Sequence, residues 1–163
     1  MFCRLYQPLT SEDKSKTQLH KLIHSDVIGP MQTKTMHGYR SMIMFTDVYS
    51  RYTEVYFMKL KSDAHAKFNM YVARVAKHYS KSKVCRIRVH GGGEYPRSER
   101  FLNYLAPEGI TMEVSVPYSQ QQNGISERCH RTVVDPVRSI LKHAGMPNKL
   151  WAEAVSTAVY IEN

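Results

Sequence analysis

Two acidic residues stand where the sequence could support phosphate chemistry. Asp26 lies at or near the centre of a short apolar run, KLIHSDVIGP, and Glu127 lies one turn into a helix that follows the polar loop YSQQQNG. Carboxylates at the ends of different elements can converge on two divalent ions, which activate one oxygen and stabilise the leaving oxygen during in-line phosphoryl transfer. A charge inside an apolar run needs a partner or a metal. The two residues are therefore candidates for metal-dependent phosphoryl transfer.

A glycine-rich loop supplies the third element of such a site. Residues 87–96, IRVHGGGEYP, combine a short apolar run, a glycine cluster and an acid, which is the shape of an active-site loop. His90 stands where a third carboxylate would be expected. Each acid also has a plainer explanation: Asp26 as a strand-end residue turned to solvent, and Glu127 as an acid that favours the dipole of a helix first turn.

Composition and charge narrow the class of protein. The chain has 163 residues, 42% hydrophobic and 23% charged, which predicts one globular domain. The formal net charge of +9 favours a polyanionic partner, nucleic acid first, although excess lysine can also merely solvate a surface. No apolar run has membrane-spanning length, and three distant cysteines predict a reducing, intracellular compartment rather than a disulfide framework. These are Cys3, Cys85 and Cys129.

The order of the elements predicts an α/β sheet with helices packed on it. We interpret residues 1–19 as a linker or trimmed leader and residues 20–163 as one domain whose C-terminus is truncated. Apolar alternation and β-branched runs predict strands, and spacing at three and four predicts helices. The expected strands are 21–30, 39–48, 51–60, 83–89 and 110–116, and the expected helices are 62–81, 98–109, about 125–143 and 148–163.

Five sequence blocks carry a family resemblance over about residues 20 to 163. They are HSDVIGPM, FTDVYSRYTEVYF, HGGGEY, VPYSQQQNGISERCHRTV and LWAEAVSTAVYIEN. Their order and spacing resemble the integrase catalytic core of copia-type retrotransposons, a segment of a polyprotein. The resemblance implies a ribonuclease-H-like fold, a five-stranded mixed sheet flanked by helices, and action in the nucleus. It also implies an Asp, Asp, Glu triad that binds two Mg²⁺ or Mn²⁺ ions, processes element DNA ends and joins them to target DNA, with a core homodimer as a family expectation.

One triad position departs from this pattern. By the resemblance, Asp26 matches the first Asp, which bridges both metals, and Glu127 matches the final Glu. His90 stands at the second Asp, and Gly91 replaces the Asn that follows it. Mg²⁺ prefers oxygen ligands in near-octahedral geometry, whereas imidazole suits later transition metals. We therefore expect weakened metal binding and impaired catalysis, with His90 as the candidate catalytic residue and metal ligand at the second position.

A proline gives a second departure. Pro136 falls nine residues after Glu127, inside the expected helix, where it removes a backbone hydrogen bond and costs roughly 3 kcal/mol or bends the helix. Its effect on Glu127 would be indirect, through packing of Val133, Val137 and Leu141.

Candidate DNA contacts are less specific than the triad. By the resemblance, the loop before Glu127 lies against DNA ends, which makes Tyr118 and Gln122 candidates. Arg128 and Arg131 flank Glu127 on its helix and can bind phosphates. We expect the same of a basic group around the fourth strand, although a solvated basic face explains any of these residues equally well. That group is Lys81, Lys83, Arg86 and Arg88.

Three functions stay open on the sequence. The first is an integrase core that keeps its fold and DNA affinity but has a weakened metal site. The second is an active nucleotidyltransferase that uses His90 as a ligand. The third is a host-retained module that binds DNA or protein without chemistry. The first and third predict the same fold and the same missing carboxylate, so sequence alone does not separate them.

Overall fold

The sheet has five strands of mixed direction, as predicted. The computed structural model describes residues 18–79, 82–90, 98–115 and 130–163. The strand order is β3-β2-β1-β4-β5; β2 runs antiparallel to β1 and β3, and β4 runs parallel to β1 and β5. The strands are β1 Leu22–Ile28, β2 Ser41–Asp47, β3 Thr53–Met58, β4 Arg86–His90 and β5 Thr111–Ser115.

Within the described ranges, four α-helices lie in the predicted segments. They are α1 Ala64–His78, α2 Glu99–Glu108, α3 Asp135–His143 and α4 Trp151–Glu162. In α1 the apolar residues recur at three and four, and the face they form is buried, which confirms the periodicity argument. The buried residues of α1 are Ala64, Phe68, Tyr71, Val72 and Val75.

Each face of the sheet carries its own hydrophobic core, because successive strand residues point to opposite faces. On β2, Ile43 and Phe45 pack toward α1 and α2, while Met42 and Met44 pack toward α3 and α4. In the first core, the ring of Phe68 on α1 packs against the ring of Phe45, with a distance of 5.6 Å between the ring centroids. Burial of such a ring contributes roughly 1.5–3 kcal/mol to the stability of the fold. Because each face has its own core, helices stabilise the sheet from both sides.

Two helices differ in detail from the expectation. Helix α2 continues through Pro107 to Glu108, and Gly109, in a left-handed conformation with φ of 65°, is the residue that ends it. Residues His130–Val134 form a π-helical turn that leads directly into α3, and Pro136 falls in the first turn of α3. A first-turn residue has no intrahelical partner for its N–H, so proline is tolerated there. The described part of the expected helix, residues 130–143, is therefore helical as predicted, and the π-helical turn ahead of Pro136 is the departure from it. The burial of Val133, Val137 and Leu141 is confirmed.

Candidate active site

Asp26 lies on the central strand of the sheet, near its C-terminal end. It is the fifth residue of β1, is half-buried, and pairs with Met44 of β2. On the other side of β1, the parallel register sets Ser25 beside Val89 of β4. The next residues along these two strands, Asp26 and His90, therefore occupy neighbouring positions. The first and second triad positions therefore lie side by side at the C-terminal ends of β1 and β4, a place that we call the Asp26 edge.

The remaining predicted site residues are described only in part. Glu127, Tyr118, Gln122 and Arg128 lie outside the described residues, and His90 is described by its strand position, where it pairs with Ser115. Arg131 is exposed in the π-helical turn. In the ranges that the structure describes, no three His, Cys, Asp or Glu side chains lie close enough together to hold a metal ion. The complete triad and its DNA contacts stay predictions.

A second acidic residue, Asp47, holds the start of β1, and sequence reasoning missed it. Its carboxylate is buried, with 1% of the residue exposed. Oδ1 accepts a hydrogen bond from the backbone N–H of His20 at 3.0 Å, and Oδ2 accepts two from Ser50, from its N–H at 2.8 Å and its hydroxyl at 2.7 Å. The Asp and Ser spaced by three in DVYS were the available signal, because Asp side chains bond the backbone of turns that follow them. Asp47 thus ties the residues before β1 to the β2–β3 turn.

The arginines of β4 are paired rather than free to bind phosphate. Arg88 donates from Nε and Nη2 to Oε2 of Glu113 on β5 at 3.0 and 2.8 Å, and Arg86 donates to Oε1 at 3.1 Å. Burial acts to raise the pKa of the Glu113 carboxyl, but the hydrogen bonds and charges of Arg88 and Arg86 outweigh it and the pKa is lowered. Glu113 would therefore compete with phosphate groups for both arginines.

The connection that leaves β1 is fastened to helix α4. Trp151 donates its indole N–H to the carbonyl of Thr33 at 3.0 Å. Gly29, with φ of 121°, allows this connection to fold tightly, because a Cβ there would lie 2.8 Å from the carbonyl oxygen of Arg40. The segment that follows Asp26 therefore has a defined position.

Comparison with known proteins identifies the relatives of the chain. It is 39% identical over 154 residues to the retrovirus-related Pol polyprotein from transposon TNT 1-94 of Nicotiana tabacum. The aligned region covers 94% of this chain and 11% of that polyprotein. This chain is related to one segment of a copia-type retrotransposon Pol polyprotein. The corresponding polyproteins from transposons RE2 and RE1 of Arabidopsis thaliana are each 30% identical and cover 96% of the chain. The chain spans about a tenth of the length of these relatives, and no family model matches it.

A solved structure supports the fold. The structure matches a chain in the cryo-EM structure of a simian T-cell lymphotropic virus intasome in complex with PP2A regulatory subunit B56 gamma, with a TM-score of 0.64 and 16% identity. The match covers 86% of the present chain and 47% of the intasome chain. The ribonuclease-H-like fold class is thereby confirmed. Among the described residues, no helix is long and apolar enough to cross a membrane.

Proposed function

We propose that this chain is an integrase-type catalytic core that acts on DNA, with a metal site weakened by His90. The observation that carries the proposal is the register of the two central parallel strands, which sets Asp26 and position 90 side by side. In a two-metal site, adjacent carboxylates at such an edge share the charge of the ions. Here one of the two neighbouring positions supplies an imidazole instead.

The donor set at these two positions does not suit the ion that the relationship implies. Asp26 offers carboxylate oxygens, which Mg²⁺ prefers, whereas neutral imidazole favours Zn²⁺ and other later transition metals. Substitution of histidine for aspartate also removes one negative charge that would offset two divalent cations. We therefore infer a weakly held metal, and expect end processing and strand transfer to be strongly reduced.

The proposal also includes a third metal ligand, DNA contacts, a cellular compartment and an oligomeric state. Glu127 is the third ligand, and Tyr118, Gln122, Arg128 and Arg131 contact DNA on the side of that residue. Support for DNA as partner comes from the formal net charge of +9. Action in the nucleus and assembly as a core homodimer follow from the same relationship.

A disintegration assay on a branched DNA substrate tests the proposal, because this reversal of strand transfer asks little of segments outside the core. The unchanged chain and His90→Asp are compared in Mg²⁺ and separately in Mn²⁺. His143→Asp is the matched control, since it makes the same exchange at an exposed position in the last turn of α3. We expect activity only in His90→Asp, lost again when Asp26→Asn is added.

Two other outcomes favour the alternatives. Activity in the unchanged chain, abolished by Asp26→Asn, would make His90 a competent ligand and would refute the proposed impairment. No activity in any variant, together with salt-dependent DNA binding that ignores the metal, would favour a module that binds DNA without chemistry.

A further inference from the structure

The connection between β1 and β2 is a compact hairpin with basic side chains, which we call the basic hairpin, residues 31–40. At its base, Met31 donates its N–H to the carbonyl of Arg40 at 2.6 Å. At its tip, Thr35 exchanges backbone and side-chain bonds with Tyr39, both N–H to oxygen at 3.0 Å, while its carbonyl accepts from Gly38 at 3.0 Å. The buried Thr35 thus holds the hairpin closed from within.

Aromatic contacts fix the basic hairpin to the body of the protein. The ring centroids of His37 and Tyr39 lie 6.1 Å apart, those of Tyr39 and Phe57 6.0 Å, and those of Phe57 and Trp151 5.6 Å. This chain of rings runs from an exposed histidine to a tryptophan in the core, and Trp151 also bonds Thr33. A surface held in this way is ordered before a ligand arrives, which lowers the entropy lost on binding.

Three permanent positive charges meet at the basic hairpin. Lys34 and Arg40 are exposed on it, and Lys59 follows β3 with its Cε 3.8 Å from the position that a Cβ on Gly38 would take. Within the described ranges, none of the three has a carboxylate partner within 4.0 Å. This contrasts with Arg74, which pairs with Glu54 at 2.9 Å, and with the arginines of β4. The charges of the basic hairpin are therefore available to an anion.

The position of the basic hairpin relates these charges to Asp26. Asp26 pairs with Met44 on β2, and Arg40 lies four residues from Met44 in the direction of the C-terminal end of β1. At roughly 3.3 Å per strand residue, the two positions are about 13 Å apart. One strand of duplex DNA advances about 3.4 Å along the helix axis per phosphate, so for a duplex that lies along β1 this distance corresponds to about four nucleotides.

We propose that the basic hairpin together with Lys59 is a further DNA-binding surface, which holds backbone phosphates about four nucleotides from the Asp26 edge. This inference rests on the proposed function, because it places the phosphates on DNA already engaged at that edge. Lysine and arginine on a rigid loop grip phosphates without reading bases, so the surface positions DNA rather than selecting its sequence. An acidic protein segment is the competing occupant.

Salt-dependent binding to a short fluorescein-labelled duplex, followed by anisotropy, tests the surface. The test variant is K34Q/K59Q. The control, K77Q/K142Q, removes the same charge from two exposed positions to which no DNA contact is assigned, in the last turn of α1 and the last turn of α3. Two lost phosphate contacts make the slope of log K against log salt shallower by about 1.8. At about 0.15 M salt this corresponds to roughly 30-fold weaker binding for K34Q/K59Q, with a much smaller change in the control.

Each alternative result has a separate meaning. Equal losses in both variants would overturn the inference and leave the proposed function intact, because charge alone would then explain binding. If the unchanged chain binds no duplex at any salt concentration, the proposed function itself fails. Polyglutamate binding that K34Q/K59Q weakens, beside unaffected DNA binding, would transfer the surface to an acidic protein. If the thermal unfolding midpoints of both variants equal that of the unchanged chain, the fold of the variants is intact.

Discussion

Replacement of Asp47 by asparagine tests whether this buried carboxylate is a structural anchor or a metal ligand. Asparagine keeps the shape of the side chain but has a single acceptor oxygen. In the native arrangement, Oδ1 serves the N–H of His20 and Oδ2 serves the N–H of Ser50. Whichever way the amide turns, one backbone N–H faces an NH₂ group and loses its acceptor.

The magnitude follows from these bonds. A buried donor left without an acceptor costs about 1–3 kcal/mol, and bonds to a charged acceptor are worth about 1.5–3 kcal/mol each. We therefore expect Asp47→Asn to lower the free energy of unfolding by about 2–4 kcal/mol. Ser50→Ala is the matched control. It removes the hydroxyl bond of 2.7 Å to Oδ2 and the exposed bond of 3.2 Å that the Tyr52 N–H donates to the same hydroxyl, and should cost about 1 kcal/mol.

Urea unfolding followed by fluorescence measures both changes, because Trp151 is the only tryptophan in the chain and lies in the core. A loss below about 0.5 kcal/mol for Asp47→Asn would refute the anchoring role, since that is the range of ordinary surface substitutions. Stabilisation of the unchanged chain by Mg²⁺ that disappears in Asp47→Asn would instead identify Asp47 as a ligand, because a bound ion stabilises only the state that binds it.

Two further predictions concern the contacts around β4 and α4. Because the pKa of Glu113 is lowered below its ordinary 4.5, its charge stabilises the fold above that pH. The stability advantage of the unchanged chain over Glu113→Gln should thus be present at pH 7 and shrink as pH falls below 4.5, measured by urea unfolding; a pH-independent difference would contradict the pairing with Arg86 and Arg88. Trp151→Phe removes the bond to Thr33 and leaves a smaller ring, so unfolding followed by circular dichroism should show a loss of about 2 kcal/mol, and an unchanged midpoint would contradict the fastening of the basic hairpin.

Hydrophobic spacing was sufficient to locate the regular elements. The three-and-four recurrence from Ala64 to Val75 predicted α1, and the aromatic and β-branched runs predicted β2 and β3 as a hairpin. These patterns succeed because burial of one face dominates the energy of an element. The π-helical turn before Pro136 was not predicted, since it depends on how the helix accommodates one missing N–H while Val133 and Val137 stay buried.

Polar partners were harder to predict than elements. Arg86 and Arg88 read as phosphate ligands because a sequence displays charges without their neighbours, and only the β4–β5 register places Glu113 beside them. The same register logic explains why Asp26 and His90 become neighbours although 64 residues separate them in the sequence. Long-range pairing of this kind depends on the order of the strands in the sheet. The family resemblance implied that order, whereas the local residue pattern did not.

The last residue of the chain alters what the edge of the sheet offers to other molecules. Asn163 accepts from the N–H of Thr53 at 2.8 Å and donates from Nδ2 to its carbonyl at 2.8 Å. One side-chain amide thus imitates a peptide group of an additional strand against β3, which is one of the two edge strands of the described sheet. Open edges invite pairing between chains and aggregation. The amide closes this edge at its first residue, so a second polypeptide that adds to β3 must displace Asn163 or settle for a shorter ladder.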